Sequence, residues 1–306
     1  MLKIYKTIDG LISVTENFED GVWVNLTNPT QDELETVAVE LNVERDFLQA
    51  ALDEEERPRI ENEHGQTLII VDIPIIDERY GYSTIPLAMI VVKGAIITVC
   101  LQDETLVKEF ITLKMKGFQT QFKTRFVLQI LYRTATRYLS HLKSIDKQSS
   151  RIEAKLHKSM KNKELIQMLN LEKSLVFFST SLKSNETVLE RLTRYDYIKR
   201  YDEDNELLQD VIIENKQAIE MANIYSSILS GTMDAFASVI SNNLNIVMKF
   251  LTSVTIVMAI PTMIASFFGM NVDMPFLGGL SFWYIVLASV VISGIVGVIL
   301  YKKDMF

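Results

Sequence analysis

Between residues 234 and 262, small and oxygen-bearing side chains recur at steps of four and three: Asp234, Ser238, Ser241, Asn245, Met248, Thr252, Thr255, Ala259 and Thr262. A 3.5-residue spacing is the seam of a left-handed helical bundle, where Leu and Ile are usual. A carboxylate, an amide and several hydroxyls on one face are instead ligands for a hard cation, and Met248 among them narrows the path. Two readings compete. Small residues let membrane helices approach closely, with hydroxyls bonded to the preceding turn. Alternatively, several copies of the helix surround a watery axis. Asp234 and Asn245 favour the second reading, because both are poor choices for a dry seam. One chain has too few apolar helices to enclose a channel, so such a path requires an oligomer.

The stripe leads into the run FFGMNVDMPF at 267–276. Gly269 lets the backbone leave the helix, as a left-handed C-cap does. Asn271, repeated around an axis, then places a ring of amide oxygens at the mouth. Neutral oxygens suit a divalent ion that keeps most of its water, as magnesium does. Carboxylates at the tightest point bind too strongly for fast release. Asp273, the only acid of the turn, raises the local cation concentration. Taken alone, Gly-Met-Asn is a helix C-cap followed by a polar residue.

Two apolar runs must position this turn. Residues 250–268 and 280–301 carry no charge, and each is long enough to cross a hydrocarbon layer of about 30 Å. The competing reading is a pair of core helices in a large soluble domain, but little chain is left to bury them. Trp283, Tyr284 and Tyr301 suit membrane interfaces, while Lys249, Lys302 and Lys303 place both outer flanks in the cytoplasm. The expected arrangement is a two-span hairpin in the cell membrane, with the turn outside and both termini cytoplasmic.

Upstream, the composition changes. The chain carries −8 overall; residues 246–306 carry +1, so the first 245 carry −9. Such a surface repels nucleic acid and attracts cations. Cys100 is the only cysteine, which excludes an intramolecular disulfide and fits a reducing compartment. The first residues lack the pattern of a signal peptide. Residues 1–102 read as an α/β domain. Val22–Leu26 is a strand, and Thr30 and Glu33 have capping-box spacing ahead of a helix with Leu34, Val37, Ala38 and Leu41 on one face. Thr67–Ile76, Thr84–Val92 and Ala95–Leu101 read as neighbouring strands, the last two joined at Lys93-Gly94.

From 103 to 202, with no proline and only Gly117, the chain reads as helical. Long helices are expected over Phe122–Ser159 and Lys163–Tyr201, with the polar KNK at 161–163 as their turn. A single helix then runs from about Glu203 to Phe268, roughly 100 Å at about 1.5 Å per residue. The expected division is a stalk at 203–249, a first span at 250–268, an external loop at 269–279, a second span at 280–301 and a basic tail at 302–306.

No phosphate-binding loop, nucleophile motif or His-rich metal site is present, so an enzyme, an organic cofactor and ATP-driven transport are not expected. The run Asp53-Glu54-Glu55-Glu56 reads as a solvated helix end. His64, His141, His157 and Cys100 all lie away from the stripe, which disfavours selection of a soft metal by protein ligands.

Gly269-Met270-Asn271 between two C-terminal spans, followed by Met274-Pro275 and by Lys302-Lys303, resembles the CorA metal ion transporter family. The stretch NNLNIVMKFLTSVTIVMAIPTMIASFFGMN is similar to that family's pore helix, and WVNLTNPTQDEL and ERPRIE resemble its N-terminal domain. The resemblance implies a homopentamer with an α/β cytoplasmic domain, a stalk helix and magnesium transport. It implies that Gly269, Met270 and Asn271 form the selectivity filter, and that Asn245, Met248, Leu251 and Thr262 face the pore. It also implies regulatory metal bound between subunits by Asp210 and Asp234, with Asp77 as the neighbour's partner acid. Two positions depart from the family pattern. Ala259 stands where a methionine is frequent, and Phe276 where an acid is common, so any external acidic ring rests on Asp273. Transport of cobalt, nickel or zinc on the same fold is the alternative within the class. From another class, a membrane-anchored oligomeric sensor predicts an apolar seam and no need for Asn271.

Overall fold

Seven strands form one mixed sheet: β1 (Leu2–Ile8), β2 (Leu11–Thr15), β3 (Val22–Thr27), β4 (Arg59–Glu63), β5 (Gln66–Asp77), β6 (Gly81–Val92) and β7 (Ala95–Cys100). Their spatial order is β2-β1-β3-β7-β6-β5-β4. Only β3 and β7 are parallel. Every residue of these two central strands is buried, as continuous apolar runs covered on both faces require. The computed structural model describes residues 1–77, 81–102, 108–110, 118–159, 162–195, 197–198, 201–270 and 281–305. These fall into two compact units, Met1–Gly231 and Thr232–Phe306.

In the first unit, one face of the sheet packs on α1 (Gln31–Leu41) and α2 (Arg45–Ala50) through Val24, Leu26, Leu34, Val37, Phe47 and Leu48. The capping box at the start of α1 forms as its spacing predicts. Glu33 N–H donates to Thr30 Oγ1 at 3.3 Å, and Thr30 N–H donates to Glu33 Oε2 at 2.9 Å. The other oxygen of Glu33 accepts from Leu2 N–H at 2.8 Å, which ties the cap to β1.

The opposite face packs on α3 (Lys123–Ser159), α4 (Asn162–Arg194) and the first turns of α5 (Asp202–Phe268). Trp23, fully buried, anchors this side against Tyr5, Phe118 and Phe126. Its indole N–H donates to Thr98 Oγ1 at 2.8 Å, the polar partner a buried Trp needs. Beyond the end of β4, Asn185 of α4 takes over the pairing of β5. It accepts from Asp72 N–H at 2.9 Å and donates to Asp72 C=O at 2.8 Å. Both backbone groups of Asp72 thus turn away from β6, which lets Pro86 stand opposite at a position where no ladder donor is needed.

Three expectations need adjusting. The second long helix stops at Arg194 rather than near Tyr201; beyond it the rings of Tyr195 and Tyr197 lie tilted against each other, and α5 begins at Asp202. At the expected KNK turn, residue 161 lies outside the described residues, while Asn162 and Lys163 already belong to α4. The acidic run 53–56 lies in turns past the end of α2, with Glu56 paired to Arg59. The β1–β2 hairpin, α2 and β4 add to what the sequence reading named.

His141 of α3 sits among Tyr82, Phe178 and Arg137, and burial, then the guanidinium charge, lowers its pKa to about 4. The unfolded imidazole titrates near 6.5. Between those values the unfolded chain binds a proton that the folded chain declines, so stability falls as pH drops from about 6.5 towards 4. Burial raises the pKa of Asp72 and gives the opposite slope, since the folded state then holds a proton the unfolded state releases. Denaturant titrations of wild type and His141→Gln at pH 7.5 and 5 isolate the histidine. Wild type is expected to lose roughly 2 kcal/mol more than the variant over that interval, and equal losses would contradict the assignment.

Candidate functional site

The second unit holds the apolar half of α5 and α6 (Ser281–Lys302). Both helices are long and apolar enough to cross a membrane, and only 6% and 11% of their apolar windows are buried. Core helices of a soluble protein would be mostly covered, so the soluble-core reading fails.

The two helices meet along faces visible in their burial. On α5, Ser253 is fully buried and Val254, Val257, Ile260, Pro261 and Ile264 are half-buried. On α6, Ser289 and Ser293 are buried, and Gly297 lies so close that an added Cβ would sit 3.9 Å from Val257 Cγ2. Small residues at 289, 293 and 297 repeat every fourth position, the spacing that brings membrane helices close. Ser253 Oγ donates to Met305 C=O at 2.8 Å, which fixes the chain beyond α6 against the base of the α5 apolar run.

The sequence stripe lies on another face. Asp234, Ser238, Ser241, Asn245, Met248, Thr252, Thr255, Ala259 and Thr262 are all exposed along α5, and so is Leu251. At 100° per residue the α6-facing positions and the stripe point roughly opposite ways near residues 252–262. One chain therefore uses one side of α5 for its own second span and leaves the polar side uncovered. An ideal helix drifts about 20° per heptad against a 3.5 repeat, or about 80° over the four heptads from 234 to 262. The stripe can face one axis throughout only if several copies wind left-handedly.

Within the stripe, Thr255 Oγ1 donates to Leu251 C=O at 2.8 Å, and Thr262 Oγ1 reaches Met258 C=O at 3.1 Å and Ala259 C=O at 2.9 Å. The close-packing reading expects these bonds. They also fix each hydroxyl with its proton turned to the backbone and its lone pairs outward, so both threonines present acceptors, as a cation path needs.

The helix ends where the sequence places its end, at Phe268. Gly269 N–H still donates to Ala265 C=O at 3.0 Å. Gly269 does not take the left-handed backbone expected of it. A Cβ there would sit 3.3 Å from Ala265 O, the carbonyl that accepts from its own N–H. Met270 N–H donates to Phe267 C=O at 3.4 Å. Asn271 and Asp273 lie outside the described residues.

Among the acids implied in metal regulation, Asp210 and Asp234 are exposed on α5, and Asp77 is half-buried at the end of β5. Among the described residues of one chain, no three His, Cys, Asp or Glu side chains converge to hold an ion.

The family described as CorA-like Mg2+ transporter protein matches residues 18–302. The chain belongs to this family. The cobalt/magnesium transport protein CorA of Methanocaldococcus jannaschii is 26% identical over 295 residues, covering 94% of this chain and 92% of that protein. The complete structure of the CorA magnesium transporter from the same organism superposes with a TM-score of 0.85 at 25% identity, covering 98% of this chain and 96% of the other. The cytoplasmic domain of ZntB from Vibrio parahaemolyticus covers 79% of this chain and 96% of its own length, with a TM-score of 0.62. Its 11% identity shows the fold alone. This CorA-family chain therefore has the expected architecture of a sheet-containing N-terminal domain, a long helix and two apolar C-terminal helices.

Proposed function

We propose that five copies of this chain assemble in the cell membrane as a passive magnesium channel that internal magnesium closes. The observation that carries this reading is the uncovered polar face of α5 from Asp234 to Thr262, on the helix that runs in sequence into Gly269-Met270-Asn271. Apolar partners cannot cover a face that includes a carboxylate and an amide without leaving them unsatisfied, whereas a hydrated axis satisfies both. In this reading 1–102 and 103–202 are cytoplasmic, 203–249 is the stalk, 250–268 lines the pore, 269–279 is external, 280–301 is the second span and 302–306 is cytoplasmic.

Hydrated magnesium meets the Asn271 ring and then the oxygens of Thr262, Thr255, Thr252 and Asn245, with Leu251 and Met248 as the apolar narrowing. The membrane potential drives it inward, at about 2.3 kcal/mol per elementary charge per 100 mV. As internal magnesium rises, the ion binds between subunits at Asp210 and Asp77 of a neighbour, and at Asp234. Repulsion among the acidic faces is then neutralised and a symmetric closed stalk is favoured. Metal biases the gate only through different affinities for the two states.

Ion uptake by purified protein in sealed vesicles tests this reading, with magnesium, cobalt and zinc compared. Potential-driven magnesium entry is expected. Cobalt is the sharpest comparison, since the relative from Methanocaldococcus jannaschii is named for both ions. Uptake of none of the three would favour a sensor or scaffold.

A further inference from the structure

Over residues 143–163 the otherwise acidic chain carries seven Lys and Arg against two acids. On α3, Lys143, Lys147, Arg151 and Lys155 follow one another at every fourth position, and all four are exposed. Within this stripe a groove of about 310 Å³ opens between α3 and α4. Arg151 and Lys155 supply cations, Gln148, Gln167 and Asn170 supply carboxamides, and the buried Ile152 and Leu171 form an apolar floor. No carboxylate lines it among the described residues. Gln148 is held in place, since its Nε2 donates to Tyr82 Oη at 2.9 Å. Arg151 forms no ion pair with a described residue.

We infer that this groove binds a small phosphate-bearing anion. A guanidinium presents parallel N–H donors that match phosphate oxygens, and the lysine adds a point charge. Carboxamides can donate to the remaining oxygens without adding charge. The apolar floor suits the carbon skeleton of a phosphate ester, and the volume lies at the small end for ligand pockets. An anion seated there bridges α3 to α4 beside Gly81, at the start of β6. The inference does not depend on the pore reading.

Pyrophosphate titrated calorimetrically into the full chain, in neutral-lipid nanodiscs without divalent ions, provides the test. Saturable binding that weakens with added salt is expected. Arg151→Gln should weaken it by about tenfold, while Lys143→Gln, on the same stripe but outside the groove, should change it less than twofold. A second preparation containing phosphatidic acid separates the two sources of the phosphate. If a lipid headgroup occupies the groove, the pyrophosphate signal disappears there; if the ligand is a free phosphate, the signal persists. No binding in neutral nanodiscs at about 1 mM pyrophosphate, or equal losses in the Arg151 and Lys143 variants, would overturn the inference.

Discussion

Replacing Asn271 with alanine is expected to lower magnesium flux in reconstituted vesicles by about 100-fold or more while the oligomer survives. Magnesium gives up inner-sphere water reluctantly, so a filter for it must bind the ion together with that water. Amide oxygens accept from those waters, and hydrogen bonds to groups polarised by charge are each worth about 1.5–3 kcal/mol. A ring repeats that contribution in every subunit, so truncation removes it everywhere at once. Asn271→Asp provides the complementary comparison. It keeps the oxygens but makes each a full charge, so magnesium should bind more tightly and leave more slowly, and flux should again fall. Normal flux in Asn271→Ala, with the oligomer verified by size, would remove the filter from the account.

The second large effect concerns the gate. Asp210→Ala is expected to raise the internal magnesium concentration that half-closes the channel by about tenfold or more, with the open flux retained. At physiological salt, charges more than about 8 Å apart are largely screened, so the net charge of the N-terminal region cannot hold the gate by itself. Control has to come from acids that approach across an interface. Asp210 is exposed on α5, and among the described residues of one chain no three acids, histidines or cysteines converge to hold an ion, so in the proposed reading a neighbour supplies its partner. Flux recorded at stepped internal magnesium, in wild type and variant, provides the check. An unchanged closing curve would move regulation elsewhere, with Asp234 the next residue to replace.

Much of the fold follows from local pattern. The long helix was expected from about Glu203 to Phe268 and runs from Asp202 to Phe268, because Gly231 and Pro261 are its only glycine and proline and residues 250–268 carry no charge. Strands β5, β6 and β7 were legible because buried strands are dense in Ile, Val and Leu. Three strands went unread, β1, β2 and β4, and the last two are the edges of the sheet. Edge strands are short, and β4 carries the charged sequence RIENE, so neither has the apolar density of a core strand. Their turns did carry a signal. Asp9-Gly10 and His64-Gly65 are two-residue hairpin loops with positive φ at both positions.

Other features could not be read locally. Nothing in the composition stops α4 at Arg194. The Asn185 clamp on Asp72 and the Ser253 bond to Met305 join residues far apart in sequence. For the pore stripe, helical geometry alone puts the residues on one face, so their placement was legible. In the proposed assembly, what covers that face and which acid meets Asp210 depend on a second chain.

Cysteine accessibility along α5 shows whether copies of this helix surround water. Cys100 is the only native cysteine and is buried, so the background should be silent. Single cysteines at Asn245, Met248, Thr252, Thr255, Ala259 and Thr262 would be compared with cysteines at Ser253, Val257, Ile260 and Ile264, using a charged thiol reagent on protein in vesicles. Rapid modification, and loss of flux, are expected at the first set only, since a charged reagent needs water and a thiolate. Rapid reaction of the second set with the first protected, or equal protection of both, would mean that no aqueous path runs along this face.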